Sequence, residues 1–251
     1  MARRRAVSPA DKSTSPEKLP LLYRTMVPLS AERQGALRLR SKRDFQVAAA
    51  VNAIPLTVDE FPRAMQDYPI VIASGSTPMP VALVGFQKGK NDFVSADGTW
   101  RDGAYVPAYL RRFPFALLKE SPDADRHILC GDLSSTVFTE DAAVSEPLFE
   151  DGKPAAAIDR ALDFCRRYAA AVERTKALME EVNKLDLVGP SAVTISRGDA
   201  KRKVEGFSIV SEEKLRDLDD KTLAGLARRG VLNLFAAHQM SLANFSSFGE
   251  A

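Results

Sequence analysis

The chain has 251 residues, of which 45% are hydrophobic and 27% are charged, a composition typical of a globular protein. This length lets one large domain, or two small ones, bury a core without metals or disulfides. The formal net charge of +2 is unevenly placed, because residues 1–18 carry +3 and leave −1 for the rest. A nucleic-acid-binding domain usually carries its positive charge in the folded body, so no nucleic-acid partner is expected.

Targeting features are weak in this sequence. The basic run Arg3–Arg5 is followed by Ser, Pro, Lys and Glu rather than by an apolar segment, so a secretory signal peptide is not expected. No stretch approaches the ~20 apolar residues of a membrane-spanning helix. The two cysteines, Cys130 and Cys165, lie in apolar surroundings typical of buried thiols. We therefore expect a cytoplasmic protein without a transmembrane segment, and signal-independent export remains open.

Composition along the chain predicts the domain organisation. Residues 1–20 are dominated by Ser, Thr, Pro, Lys and Arg, which predicts a disordered basic tail. Residues 21–245 are expected to form a single α+β domain, which divides into a β-rich part (21–152) and a helix-rich part (153–245) if it divides at all. The last residues, 246–251, are expected to fray.

The first half of the domain is rich in predicted strands. Tyr68–Ala73 and Met79–Phe86 are β-branched apolar runs, which favours neighbouring strands buried on both faces. Phe45–Ala50 is also predicted as a strand. Thr57 is a suitable N-cap for a short helix that reaches Gln66. Together these runs predict a mixed or antiparallel β-sheet in the N-terminal region.

The second half contains the clearest helix. Apolar residues recur every three or four positions from Ile158 to Leu185, which predicts one long amphipathic helix that ends before Gly189-Pro190. A β-hairpin is predicted from 193–196 and 204–210. Helices are predicted in a C-terminal segment near 211–218, 220–230 and 231–244.

Catalytic and metal-binding motifs are missing from the sequence. The two histidines, His127 and His238, are far apart, and no CxxC or HxxxH spacing occurs. The sequence contains no GxSxG elbow and no glycine-rich phosphate loop. No catalytic residue, metal or cofactor is therefore predicted, and a role other than catalysis is favoured.

In one group of residues aromatic side chains alternate with arginines, and the favoured interpretation is a packed aromatic corner with solvated arginines. The alternative is a recognition surface for a protein, peptide or anionic ligand, since such groups are enriched at interfaces and in ligand clefts. Asp132 follows an apolar strand, at a place where an active-site acid could lie. The candidate binding residues are Trp100, Tyr105, Tyr109, Arg111, Arg112, Phe113 and Asp132.

Several segments, in this order, resemble the SapC family of proteobacterial proteins. The most specific is Tyr105–Phe115 (YVPAYLRRFPF); others are Tyr68–Val71, Pro80–Gly85, Pro147–Phe149 and Ser241–Phe245. The resemblance covers residues 21–245. It implies a link to surface-layer protein export or to outer-membrane nutrient-uptake receptors, and it brings no catalytic residues, cofactor or fold.

Three hypotheses follow from the residues and the resemblance. The favoured one is a non-catalytic accessory or binding protein with a protein or peptide partner. The alternative is an enzyme or small-molecule sensor in which Asp132 lies in a pocket with Tyr109 and Arg112. A structural surface-layer subunit is least favoured, because the sequence has no repeats or acidic bias. Association of identical chains through the long helix or the C-terminal helix remains open.

Overall fold

The structure is a computed structural model that describes residues 19–73, 78–119, 127–197 and 200–249. The predicted disordered basic tail lies largely outside these ranges. So do the turn expected between the predicted strands Tyr68–Ala73 and Met79–Phe86 and the tip of the hairpin predicted from 193–196 and 204–210. In the described part of the chain no helix is long and apolar enough to cross a membrane.

The strands of the described residues pair antiparallel throughout. In chain order they are β1 (Val27–Pro28), β2 (Arg38–Arg40), β3 (Ala53–Pro55), β4 (Ile70–Ala73), β5 (Met79–Leu83), β6 (Phe115–Lys119), β7 (His127–Gly131), β8 (Phe138–Thr139), β9 (Ser145–Pro147), β10 (Phe149–Glu150), β11 (Lys153–Pro154), β12 (Val188–Arg197) and β13 (Ala200–Val210). They form sheets in the orders β12-β13-β4-β5-β3, β1-β7-β6, β8-β2-β9 and β10-β11.

The α-helices are dominated by one long element in the middle of the chain. In chain order the helices are α1 (Ala31–Gln34), α2 (Phe61–Ala64), α3 (Ala108–Arg112), α4 (Ala156–Lys184), α5 (Glu212–Arg216), α6 (Asp220–Arg228) and α7 (Val231–Ser241). Short 3₁₀ turns include Val58–Glu60, directly before α2, and Leu242–Gly249, directly after α7. The predicted α+β class is confirmed, with its antiparallel sheets, long helix, hairpin and C-terminal helical segment.

The five-stranded sheet confirms the predicted pair of neighbouring strands, and β4 is buried on both faces. In β4, Ile70, Val71 and Ile72 are all nearly inaccessible to solvent. Successive side chains of a strand point to opposite faces, so Ile70 joins one core cluster while Val71 packs with Phe207 and Phe245 on the other side. Burial on both faces is the reason that this strand reads as a continuous apolar run.

The long helix α4 confirms its prediction. Its buried residues include Ile158, Cys165 and Val182, and it packs against β5, β6 and α3. The helix ends at Lys184, and Asp186 has a left-handed backbone with φ of 53°. The helix therefore ends before Gly189-Pro190, as predicted, and these two residues lie within β12 and pair with β13.

The prediction of a strand at Phe45–Ala50 is wrong. These residues form a 3₁₀ turn, Gln46–Ala48. The turn is fixed by local polar contacts, since the Asp44 carboxylate accepts a hydrogen bond from the Gln46 N–H at 2.8 Å. A side chain that caps a neighbouring N–H competes with strand pairing, and apolar content alone did not reveal that competition.

His238 in α7 should make the stability of the protein pH-dependent. The side chain is 1% exposed, and Nε2 accepts a hydrogen bond from the Val210 N–H at 3.1 Å, which only the neutral ring can do at that nitrogen. Burial lowers the pKa of His238 to about 4. The histidine of the unfolded chain therefore gains a proton near pH 6.5, whereas that of the folded chain stays neutral down to about pH 4. The contribution of His238 to the free energy of unfolding is complete above pH 6.5 and is lost as the pH falls to about 4.

We expect this histidine to account for about 3 kcal/mol of unfolding free energy lost between pH 7 and pH 4. Urea unfolding of the wild type and of His238→Gln across this range measures it, because glutamine can still accept from Val210 and does not titrate. The prediction fails if both proteins lose stability in parallel.

Candidate functional site

The predicted aromatic–arginine cluster is assembled on the short helix α3. Residues three apart lie on the same side of a helix, so Tyr109 and Arg112 turn together towards α4. Arg111 is turned away from them, towards Tyr105 and Phe164. The two neighbouring arginines therefore lie in different surroundings.

Arg112 lies in a cage of three tyrosines. Its guanidinium carbon is 4.5 Å from the ring centre of Tyr109, 4.7 Å from that of Tyr168 and 5.4 Å from that of Tyr23. Its Nε is buried and has no hydrogen-bond partner. Cation–π attraction to the ring faces therefore holds this side chain, which makes Arg112 part of the wall rather than a free group.

Arg111 is oriented by two aromatic rings and one hydroxyl. Its guanidinium carbon lies 5.4 Å from the ring centre of Tyr105 and 5.3 Å from that of Phe164. Its Nη2 donates to the Tyr105 hydroxyl at 2.8 Å. That hydroxyl in turn donates to Glu60 Oε1 at 3.0 Å. Burial, and next the charge of Glu60, raises the pKa of Tyr105 to about 12, so the phenol keeps its proton at neutral pH.

Glu60 anchors this arrangement from the other end. It is 5% exposed, and its Oε1 also accepts from the Ala108 N–H at 2.6 Å, at the first residue of α3. Its Oε2 accepts from the N–H and the hydroxyl of Thr57 at 2.8 and 2.9 Å. One buried carboxylate therefore ties the turn before α2 to the start of α3 and, through Tyr105, to Arg111.

An open cleft of about 410 Å³ lies beside α3. Its walls are the segment after β2, the turn from α3 into β6, residues of the β8-β2-β9 sheet, and the first half of α4. It is lined by Leu39, Arg40, Ser41, Arg43, Arg111, Arg112, Phe113, Pro114, Phe115, Val137, Glu146, Ala157, Arg160, Ala161, Asp163, Phe164 and Arg167. Polar and aromatic residues from distant parts of the chain meet there.

The lining of the cleft carries a positive surplus, with six arginines against two carboxylates. Both carboxylates are engaged at the rim, Glu146 with Arg160 and Asp163 with Arg167. The remaining arginines of the cleft pair with no carboxylate of the described residues.

Arg43 and Arg111 bring two positive charges together at the mouth of the cleft. Arg43 Nη1 donates to the Arg111 carbonyl oxygen at 2.8 Å. Arg43 reaches solvent, yet partial desolvation and then the charge of Arg111 lower the pKa of its guanidinium. Neither guanidinium forms an ion pair with a carboxylate of the described residues, and the Glu60 carboxylate reaches Arg111 only through the Tyr105 hydroxyl. Two guanidinium groups in this position attract an anion.

The other predicted site residues divide between the cleft and the core. Phe113 lines the cleft and packs edge-on against Tyr23, with ring centres 5.2 Å apart. Trp100 is 5% exposed and donates from Nε1 to the Tyr68 hydroxyl at 3.1 Å, so it lies in the core. Tyr109 forms one side of the Arg112 cage and donates its hydroxyl to the Leu21 carbonyl at 2.6 Å.

Asp132 lies apart from the cleft. It is 1% exposed, and it accepts hydrogen bonds from the Arg24 N–H at 2.7 Å, from the Thr25 hydroxyl at 2.8 Å, and from the N–H and hydroxyl of Ser134. Burial alone would raise the pKa of Asp132, but these hydrogen bonds outweigh it and the pKa is lowered. The carboxylate joins residues 24–25 to its own segment at Ser134 and does not contact Tyr109 or Arg112.

Sequence reasoning missed several residues of the cleft. Arg160, Phe164 and Arg167 recur at helical spacing on the exposed side of α4, a signal that the sequence did contain. Arg40 and Arg43 carried no such signal, because only the packing of the β8-β2-β9 sheet brings them to α3. Glu60 was not predicted as part of the site, although its spacing from Thr57, the predicted N-cap, is that of a capping box.

The fold and the site define an α+β protein with an arginine-rich cleft. Among the described residues no group of three or more His, Cys, Asp or Glu side chains could hold a metal ion. The sequence matches the SapC family over residues 29–248, nearly the whole chain. The protein therefore belongs to the SapC family. No curated protein and no solved structure matches the chain significantly.

Proposed function

We propose that this SapC-family protein is a non-catalytic binding protein that takes an anionic group in the cleft beside α3. The observation that carries the proposal is the surplus of guanidinium groups, with Arg43 and Arg111 adjacent and without a carboxylate partner in the described residues. Arginine is well suited to such a site, since its planar fork matches a carboxylate or phosphate with two parallel hydrogen bonds.

The size of the cleft favours a small ligand or the acidic end of a larger one. Small-molecule sites commonly enclose about 300–1,000 Å³, and this cleft falls in the lower part of that range. A catalytic role has less support, because both carboxylates of the cleft are already paired with arginines and Asp132 is used elsewhere.

The biological setting of the proposal rests on family membership. We place the protein among cytoplasmic accessory factors for surface-layer biogenesis or for outer-membrane nutrient-uptake systems, in line with what the family name implies. Binding of an anionic compound would let such a factor respond to a metabolite or recognise an acidic partner. A native pull-down of the full chain, compared with an Arg111→Ala chain, tests whether a partner depends on the cleft.

Anion binding in the cleft should depend strongly on Arg111. We expect Arg111→Ala to weaken the binding of each anion that the wild type binds by about 10- to 100-fold, because charge-assisted hydrogen bonds are lost. Arg43→Ala should weaken it less, since Arg43 reaches solvent. Isothermal titration calorimetry with inorganic phosphate, citrate and benzoate measures the effect, and added salt should reduce the affinity by screening.

The matched control is Arg63→Ala, which removes an exposed arginine on α2 and should leave the affinities unchanged. Arg111→Lys keeps the charge but loses the fork, and should give an intermediate affinity. Thermal melts of each variant exclude unfolding as the cause. The proposal is contradicted if none of the anions binds the wild type, or if Arg111→Ala binds them as tightly.

A further inference from the structure

The cleft has an aromatic side that the general proposal of anion binding does not use. Phe164 is a half-buried aromatic residue on α4 that belongs to none of the core clusters of the described residues. Its ring lies in the cleft lining and already contacts the guanidinium of Arg111. A phenylalanine that contributes so little to the core is free to contact a ligand.

The floor of the cleft is apolar. Phe115 is 5% exposed and belongs to a core cluster against which Leu39 and Ala161 pack, and Phe113 and Val137 extend the apolar lining. A small, strongly hydrated anion would lose water against these walls without gaining hydrogen bonds there. A ligand with an apolar body would cover them and release water.

The number of free positive groups limits the charge of the ligand. Arg160 and Arg167 are paired with carboxylates at the rim, and Arg112 is enclosed by tyrosines. Arg40 and Arg43 each donate to a backbone carbonyl, that of Thr136 and that of Arg111, and Arg111 donates to the Tyr105 hydroxyl. Of these three arginines, Arg43 and Arg111 come together, since Arg43 is bonded to the Arg111 backbone and its pKa is lowered in part by the charge of Arg111, which suits one acidic group rather than several.

Resting on the proposed anion site, we propose that the ligand of this cleft is a small aromatic acid. Its carboxylate or phosphate would lie between Arg43 and Arg111, and its ring would pack against Phe164 and Phe113. Rings of this kind favour offset-stacked or edge-to-face contacts with phenylalanine, and the cleft supplies phenylalanines on two walls.

Titration calorimetry with five probes tests the ligand class. Benzoate and phenyl phosphate carry both ring and acid, cyclohexanecarboxylate has a saturated ring of similar size, acetate has the acid alone, and benzyl alcohol has the ring without charge. We expect benzoate or phenyl phosphate to bind about tenfold or more tighter than acetate and benzyl alcohol, and a few-fold tighter than cyclohexanecarboxylate. The better of the two aromatic acids identifies the acidic group.

Phe164→Leu keeps an apolar side chain but removes the ring. This variant should bind the aromatic acids several-fold more weakly and acetate with unchanged affinity, while Arg111→Ala should bind all the acids more weakly. Equal affinity for acetate and benzoate, or for benzoate and cyclohexanecarboxylate, would overturn the aromatic-acid proposal and leave the anion site standing. Binding of benzyl alcohol as tight as that of benzoate, or no binding of any probe, would overturn both proposals.

Discussion

Asp132→Ala is expected to lower the free energy of unfolding by about 3–5 kcal/mol. The carboxylate is buried and accepts from the Arg24 N–H, the Thr25 hydroxyl, and the N–H and hydroxyl of Ser134. Alanine leaves these donors without an acceptor in a place that water reaches poorly, and an unsatisfied buried donor is more costly than the net value of one hydrogen bond. Urea unfolding, followed by tryptophan fluorescence, measures the change.

The charge of Asp132 should also stabilise the fold at neutral pH. Because the hydrogen bonds lower the pKa of Asp132 in the folded state, its contribution is present above the ordinary carboxyl pKa and is lost as the pH falls through the lower folded value. Asp132→Asn keeps the shape of the side chain, and its free energy of unfolding should be about 1–3 kcal/mol lower than that of the wild type at pH 7. Below pH 4 the variant should lose less further stability than the wild type does.

Asp141→Ala is the matched control, since this exposed aspartate accepts a single hydrogen bond, from the Ala143 N–H. Asp141→Ala should lower the free energy of unfolding by about 1 kcal/mol. If Asp132→Ala lowers the free energy of unfolding no more than Asp141→Ala does, the carboxylate does not hold residues 24–25 to the segment after β7, and a role for Asp132 in binding would regain support.

Glu60→Ala is expected to reduce both stability and ligand binding. The buried carboxylate accepts four hydrogen bonds, which join Thr57 to Tyr105 and Ala108. Its loss should lower the free energy of unfolding by about 3–5 kcal/mol. Because the Tyr105 hydroxyl orients Arg111, the affinity for cleft anions should also fall about tenfold, although Glu60 does not line the cleft. We therefore describe it as a positioning residue.

Two variants separate these effects. Asp59→Asn removes an adjacent exposed carboxylate that pairs with Arg174, and should change stability by less than about 1 kcal/mol with no change in binding. Tyr105→Phe keeps the ring next to Arg111 but removes the hydroxyl, and should lower the affinity with a smaller loss of stability. If folded Glu60→Ala binds anions as the wild type does, Glu60 supports only the fold.

Elements with a strong local pattern could be predicted from the sequence. The three- and four-residue spacing of apolar positions predicted α4, and continuous β-branched runs predicted β4 and β5, because burial on one helix face or on both strand faces leaves a direct trace in composition. The 3₁₀ turn at Gln46–Ala48 left no such trace, since it is held by individual contacts, such as those of Asp44 with the Gln46 N–H and of Asn91 with the Ala48 carbonyl, that produce no periodic pattern.

The sequence by itself determined the α+β class and the family. It contained no catalytic motif, and it indicated Tyr105–Phe113 as part of the candidate binding site. Tertiary structure alone decided which of those residues face a cleft, because Arg43 and Phe164 reach Arg111 from parts of the chain that no local periodicity connects. It also assigned Asp132 and Glu60 to structural networks, since the hydrogen-bond partners of a buried carboxylate depend on which distant backbone groups packing brings to it.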